Sequence, residues 1–347
     1  MGVDAMAEKL LTWYDAHRRR LPWRAETGGP PPDPYRIWLS EIMLQQTTVA
    51  AVRAYFERFT TQWPTVTDLA DAEDAAVMAA WAGLGYYARA RNLLACARIV
   101  AREHGGRFPD TESGLRALPG IGDYSAAAIA AIAFGRRAVV VDANVERVAS
   151  RLFAFDGPLP PARPALRALV DTITPADRAG DFAQAMMDLG STICSVRSPQ
   201  CLICPLAAQC SARAAGNAES FPVKAAKRAR PTRRGTAFWI EREGCVWLVR
   251  RPAKGLLGGM RALPSGPWTG RDPGLDGAPL RANWREAGTV AHVFTHFELD
   301  LRVVMASSDG DLADGEWWPI DRIGDAGLPT LFARAVSRAI AALEQER

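Results

Sequence analysis

Long hydrophobic runs are missing from this chain. Nothing in its 347 residues approaches the roughly 20 apolar positions that a membrane-spanning helix needs, and the N-terminus carries no apolar stretch of the secretion-signal kind. These absences lead us to expect a soluble intracellular protein with no membrane partner. Charge of one sign is scarce as well: 42 Lys and Arg stand against 38 Asp and Glu, a formal charge of +4. A pI near 8.8 is mildly basic, which is compatible with a nucleic-acid partner without requiring one. Cysteine is sparse at six, yet four of the six crowd between Cys194 and Cys210. In a reducing compartment that clustering speaks for a metal or cluster site and against disulfides. Core material is abundant: 48% hydrophobic residues over this length suit two packed domains.

The stretch Leu118 to Arg147 organises the rest. Pro119-Gly120-Ile121-Gly122 allows a tight backbone hairpin, and the Ala-rich run Tyr124 to Phe134 behind it has helical propensity. Such a hairpin directs unpaired N–H groups and a helix N-terminus outward, which grips a phosphate oxygen without reading sequence. The β-branched run Val139-Val140-Val141 reads as a strand that delivers Asp142 to the start of another helix. An Asp there also makes an ordinary N-cap, with Asn144 a candidate to share that duty. Upstream, Tyr35 to Thr47 is a helix-length segment in which Glu41 has Ile37, Trp38 and Leu44 as helical neighbours. A carboxyl group so placed is partly desolvated, which raises its pKa and suits it to donate a proton near neutral pH.

Residues 64–102 are helical by period, with a Gly-rich break that carries Tyr86, Arg89 and Arg91. On its own chemistry Tyr86 reads as a helix-end packing residue, and the two arginines as backbone supports or solvated side chains. Asp181 to Gly190 reads as a packing helix. The cysteines run Cys194-x6-Cys201-x2-Cys204-x5-Cys210, unlike the paired CxxC ribbons of structural zinc, although zinc stays an alternative for four thiolates. Cys96 and Cys245 fall outside the pattern and read as packing residues. Phe221 to Arg234 holds Lys224, Lys227, Arg228, Arg230, Arg233 and Arg234 with no acid, a basic linker that marks a domain boundary. Beyond it come short β-type runs at Thr236 to Glu241, Cys245 to Arg250 and His296 to Met305. Thr295, Phe297, Leu299, Leu301 and Val303 alternate as a half-buried strand, which leaves Phe294 as an exposed aromatic off that face.

The order LPGIG, helix, Gly, VVVDANVxR resembles the helix-hairpin-helix, Gly-Pro-Asp-type superfamily of DNA glycosylases, and WLSEIMLQQT resembles the catalytic-helix motif of its adenine-specific mismatch branch, the MutY family. The resemblance runs from Trp23 to the Phe294 loop. It implies a mainly α N-terminal glycosylase region over 1–222 with a [4Fe–4S] cluster on Cys194, Cys201, Cys204 and Cys210. A basic linker over 223–234 and a C-terminal α+β Nudix-like domain over 235–347 would follow. Glu41 would protonate the adenine, and Asp142 would stabilise the cationic sugar with Asn144 holding it or its water. Gln45 would wedge into the base stack and Tyr86 would intercalate beside the damaged guanine. Gly120 and Gly122 would hold the DNA backbone, and Arg24 is placed among the DNA-contacting residues. Where backbone-cutting relatives carry a nucleophilic Lys in the hairpin motif, this chain has Tyr124, which implies a monofunctional enzyme. Glu146 stands where a basic residue often follows and weakens any phosphate contact there.

RPAKGLLGGMRALPSGPW resembles the C-terminal domain of the same branch. A full Nudix box with its metal-binding glutamates is lacking, Arg285-Glu286-Ala287-Gly288 being at most a remnant, so pyrophosphohydrolase activity is not expected. Phe294, Thr295 and His296 match the loop that implies 8-oxoguanine recognition, with Thr in place of Ser. The expected partner is therefore duplex DNA with adenine opposite 8-oxoguanine or guanine, acted on by a monomer in the cytoplasm, at the nucleoid if bacterial. Two alternatives stand beside this reading: an endonuclease III-like glycosylase/lyase, and a noncatalytic iron–sulfur DNA-binding protein.

Overall fold

The computed structural model describes residues 3–345 except 26–31, 227–228, 253–254, 295 and 311. The chain divides into two compact units, Met1–Ala226 and Lys227–Arg347. No helix among the described residues is long and apolar enough to cross a membrane.

The first unit is helical. Its elements are α1 (Val3–His17), α2 (Pro34–Leu44), α3 (Val49–Gln62), α4 (Val66–Ala70), α5 (Asp74–Trp81) and α6 (Ala88–Glu103). They continue with α7 (Glu112–Arg116), α8 (Asp123–Phe134), α9 (Ala143–Leu152), α10 (Arg163–Ile173), α11 (Ala179–Thr192) and α12 (Ser211–Ala214). Local chemistry sets several of these ends. The Asp33 carboxylate accepts a hydrogen bond from the Tyr35 N–H at 2.9 Å, and Pro34 occupies the first helical position of α2. From Ile37 to Met43 every residue of α2 is buried, so Glu41 is carried into the core by apolar neighbours. Burying each large apolar side chain contributes about 1.5–3 kcal/mol, which holds that acid in place. α8 is buried from Ser125 to Ile132, the pattern of a central helix without a polar face. Small residues on α11 allow close approach to its neighbours. A Cβ on Gly190 would lie 2.7 Å from the Cβ of Asn144, so a side chain there would push α9 away.

One expected element is absent. Val139 to Val141 belongs to no strand among the described residues. The Val139 carbonyl is taken by the Arg167 guanidinium at 2.9 Å, and Val139 and Val140 are buried in the helical core. The β-branched side chains there serve packing, with no neighbouring strand to complete a ladder.

The second unit is α+β. Its strands are β1 (Thr232–Arg242), β2 (Cys245–Arg250), β3 (Arg261–Ala262), β4 (Arg285–Val293), β5 (Glu298–Ser307) and β6 (Gly315–Pro319). They form one sheet in the order β3-β2-β1-β5-β4, with β6 paired to β2. β1 and β5 run parallel, from Thr232 opposite Glu298 to Glu241 opposite Ser307, and the other pairs are antiparallel. Alternation along β1 sends Ala237 and Trp239 to one face, where α13 (Thr330–Glu344) adds Leu331, Phe332 and Ala335. Phe238 and Ile240 point to the other face with Trp247 and Val304. The segment expected to link the units is structured at its ends. Val223 and Ala225 exchange backbone hydrogen bonds with Leu159, and Arg233 and Arg234 already belong to β1.

Candidate active site

A cavity of about 1040 Å³ in the helical unit collects residues that are far apart in the chain: Arg24, Glu41, Gln45, Tyr124, Asp142 and Asn144 all line it. Glu41 is 8% exposed. Burial pushes its carboxyl up to about 7; the Tyr124 hydroxyl that donates to it draws it down, the nearby Asp142 charge raises it, and Arg24 lowers it. Tyr124 itself is held well above the ordinary phenol range, first by burial and then by the charges of Glu41 and Asp142, and so stays a neutral donor.

Asp142 is the N-cap of α9. One carboxylate oxygen accepts from the Val145 N–H at 2.7 Å, and the other accepts from the Asn144 amide at 2.9 Å. The capping duty therefore rests on Asp142 alone. Asn144, expected to share it, instead fixes the second oxygen, because its side chain points back across the first turn. The Asn144 carbonyl oxygen accepts from Arg147 at 2.9 Å, and Arg147 donates onward to the Gly190 carbonyl at 2.6 Å and the Cys194 carbonyl at 2.8 Å. A continuous chain of hydrogen bonds thus runs from the Asp142 carboxylate to the cysteine segment.

Arg24, expected among the DNA-contacting residues, is turned inward. Its side chain is 7% exposed, and its guanidinium grips Asp188 through both carboxylate oxygens at 2.6 and 2.8 Å. Arg19 adds two more hydrogen bonds to the same carboxylate, from its backbone N–H and its Nε. Burial pushes Asp188 up, but Arg24 and Arg19 outweigh it and leave the carboxyl below its usual range. A fully buried acid must have such partners, and Arg24 serves as one while also lining the cavity. Asp188 was missed in the sequence because the helix Asp181 to Gly190 read as packing; an acid at a core position of that helix was the available signal.

Gln45 follows the last turn of α2 and donates to the Ser125 hydroxyl on α8 at 3.2 Å. Tyr86 is 66% exposed with φ at +49°, so it is no packing residue. Arg89 supports the backbone around both, the role left open beside solvation. In the hairpin, Gly120 has φ at +78°, where a Cβ would also approach that of Asn92 at 2.9 Å. Gly122 is extended and caps α8, whose first backbone hydrogen bond runs from the Ala126 N–H to the Gly122 carbonyl. The N–H groups ahead of Ala126 lie outside that ladder, at the positive end of the helix. Tyr86 and the two glycines do not line the cavity.

The four cysteines are free and line a second, small cavity. Among the described residues no group of three or more metal-binding side chains is gathered as a ready site. Arg151, 2% exposed, donates to the Cys194 sulfur at 3.3 Å and to the Ser195 and Val196 carbonyls at 2.6 and 3.0 Å. In the second unit, Phe294 is half-buried, contrary to the exposed aromatic expected. It packs on Trp268 at 5.7 Å, His292 at 4.6 Å and Phe297 at 4.8 Å, and its N–H donates to the Phe297 carbonyl at 2.9 Å. His296 is exposed, and Thr295 lies outside the described residues.

A glycine hairpin thus opens α8 in the unit whose cavity holds one buried acid and one capped carboxylate. Residues 39–171 match the family model described as HhH-GPD superfamily base excision DNA repair protein, and residues 236–338 match that of the NUDIX domain. The chain is 34% identical to the adenine DNA glycosylase of Homo sapiens, over 89% of this chain and 68% of that protein. It is 40% identical to the adenine DNA glycosylase of Mycobacterium tuberculosis, over 66% of this chain and 72% of that protein. A solved thermostable thymine-DNA glycosylase superposes with a TM-score of 0.55 at 31% identity, covering 61% of this chain and 97% of that one. The chain belongs to the adenine DNA glycosylase family.

Proposed function

We propose that this protein is a base excision repair glycosylase that hydrolyses the N-glycosidic bond of adenine mispaired with 8-oxoguanine or guanine in duplex DNA. The observation that carries the reading is the pairing, in one cavity, of Glu41 raised to about 7 with Asp142 held at both oxygens. Cleaving this bond needs a better leaving group and a stabilised sugar cation. Glu41 protonates the adenine ring as the bond to the sugar breaks. Asp142 faces the developing oxocarbenium ion and stabilises it, and water closes the reaction to free adenine and an abasic site. The adenine must leave the base stack to reach the cavity, and the hairpin N–H groups hold the backbone while it does. Tyr124 stands where a lyase needs an amine, so the reaction stops at the abasic site.

Cys194, Cys201, Cys204 and Cys210 would hold a [4Fe–4S] cluster. The fit rests on four thiols around one cavity and on the buried Arg151 cation directed at the Cys194 sulfur, which suits an anionic set of thiolates. When bound, the cluster supplies a rigid tie for the loop that bears the Cys194 carbonyl. The Phe294 turn of the second unit is the proposed reader of 8-oxoguanine, and the site of action is chromosomal DNA in the cytoplasm.

Single-turnover reactions on three duplexes test the reading: adenine opposite 8-oxoguanine, adenine opposite guanine, and cytosine opposite 8-oxoguanine, each with and without alkali. Breaks that need alkali and occur only in the adenine duplexes are expected. Breaks without alkali would mean a lyase, and intact binding without any break would mean a noncatalytic protein. Iron and sulfide measured against protein check the cluster.

A further inference from the structure

We infer that Arg89 is a positioning residue that clamps the Gln45 turn to the Tyr86 turn, so that both side chains enter the duplex in one fixed register. The inference rests on the glycosylase reading above and concerns extrusion of the base, not the chemistry that follows.

α2 ends at Leu44 with no basic residue in its last turn; the Leu44 carbonyl accepts from the Thr47 N–H at 3.2 Å, while those of Ile42 and Met43 need a donor from another element. Arg89, from the first turn of α6, supplies one. Its Nη1 donates to the Ile42 and Met43 carbonyls at 3.1 and 3.0 Å and also to the Gln45 carbonyl. Its Nη2 donates to the Thr47 hydroxyl at 3.2 Å and, on the other side, to the Leu84 and Gly85 carbonyls at 3.0 and 3.4 Å. One guanidinium therefore joins the 42–47 segment to the 84–85 turn. Its charge sits at the negative end of the α2 dipole, with Trp81 at 5.3 Å and Tyr86 at 5.5 Å beneath it.

Neither local helix energetics nor ion pairing explains this placement. A cation in the first turn of α6 faces the wrong end of that helix, and among the described residues no carboxylate pairs with Arg89. Burial holds its guanidinium below the usual range, and its Nε is buried without a partner. Both turns that it joins hold a non-glycine residue in the left-handed region, Gln46 at φ +59° and Tyr86 at φ +49°. Turns strained in this way persist only where the surroundings over-determine them, and Arg89 is the group common to both. The side chains presented are Gln45, on the rim of the adenine cavity, and Tyr86, exposed to solvent. Arg89 is not among the groups that set the Glu41 carboxyl.

The test compares full-length wild type with Arg89→Lys, which keeps the charge but loses the fork. Excision is measured on adenine in a fully paired mispair duplex and on adenine in an unpaired bubble, where extrusion costs little. For Arg89→Lys the paired substrate is expected to slow by about tenfold to a hundredfold, the scale of lost hydrogen bonds to a charged group, while the bubble is cut at the wild-type rate and the pH midpoint stays put. Equal losses on both substrates, a moved pH midpoint, or no loss at all would overturn the clamp. A 2-aminopurine placed beside the mispair reports unstacking without any need for excision. Its fluorescence should rise on binding wild type and stay flat with Arg89→Lys, and an equal rise with both proteins would count against the clamp. Should wild type cut no adenine at all, the glycosylase reading falls while this fluorescence arm still decides the clamp.

Discussion

The helical unit buries polar groups, whereas the sheet unit keeps nearly all of its polar side chains out of its core. Among the described residues, every buried polar or charged side chain except Thr236 lies in the helical unit, Glu41, Arg151 and Asp188 among them. In the sheet unit, arginines lie over rings: Arg233 on Phe297, Arg251 on Trp268 and Arg261 on Trp318, all within 4.8 Å of the centroid. Buried charge shifts proton affinity and suits bond breaking, and that charge is concentrated in the helical unit.

The largest expected effect would break this division if it failed. Glu41→Gln and Asp142→Asn should each lower single-turnover excision by at least about 10²–10⁴-fold while band-shift binding of the duplex survives. Near-normal rates in either variant would remove that carboxylate from the mechanism. Next in size is Asp188→Ala, which strands Arg24 and Arg19 and should cost about 3–5 kcal/mol in denaturant unfolding. The matched change in the sheet unit, Glu316→Ala, breaks the more exposed pair with Arg261 and should cost no more than about 1 kcal/mol. Similar losses at the two sites would erase the contrast.

A pH series sharpens it further. Because the folded value of Glu41 is raised to about 7 from an ordinary 4.5, its stability contribution is full below pH 4.5 and is lost as pH rises through 7. Glu41→Gln cannot ionise, so its stability relative to wild type should grow by about 3 kcal/mol between those limits. Excision by wild type should decline above pH 7, where the acid has given up its proton. A stability difference that stays flat with pH would mean that Glu41 is not desolvated. The smallest effect is Phe294→Ala, which removes ring contacts worth about 1 kcal/mol from the sheet unit. It should reduce discrimination between 8-oxoguanine and guanine opposite adenine and leave excision opposite guanine unchanged.

The sequence by itself determined the local elements and the order of the motifs. The Asp33-Pro34 start of α2, the glycine hairpin, the Ala-rich helix and the Asp142 cap all depend on neighbours a few residues away, and a linear reading resolves such dependences. The two-unit plan and the family also follow from motif order. What only the tertiary structure decided involves distant partners. Arg24 meets Asp188 and Arg89 meets the end of α2 because the fold brings distant segments together, and no spacing rule announces a partner beyond the next turn. Val139 to Val141 has strand-forming side chains but lies among helices, so burial overrides propensity. Phe294 is covered by Trp268 from a separate loop. Proton affinity at Glu41 is the same kind of property: its apolar helical neighbours could be read in advance, but the depth of burial and the opposing pulls of Tyr124, Asp142 and Arg24 exist only once the chain has folded around them.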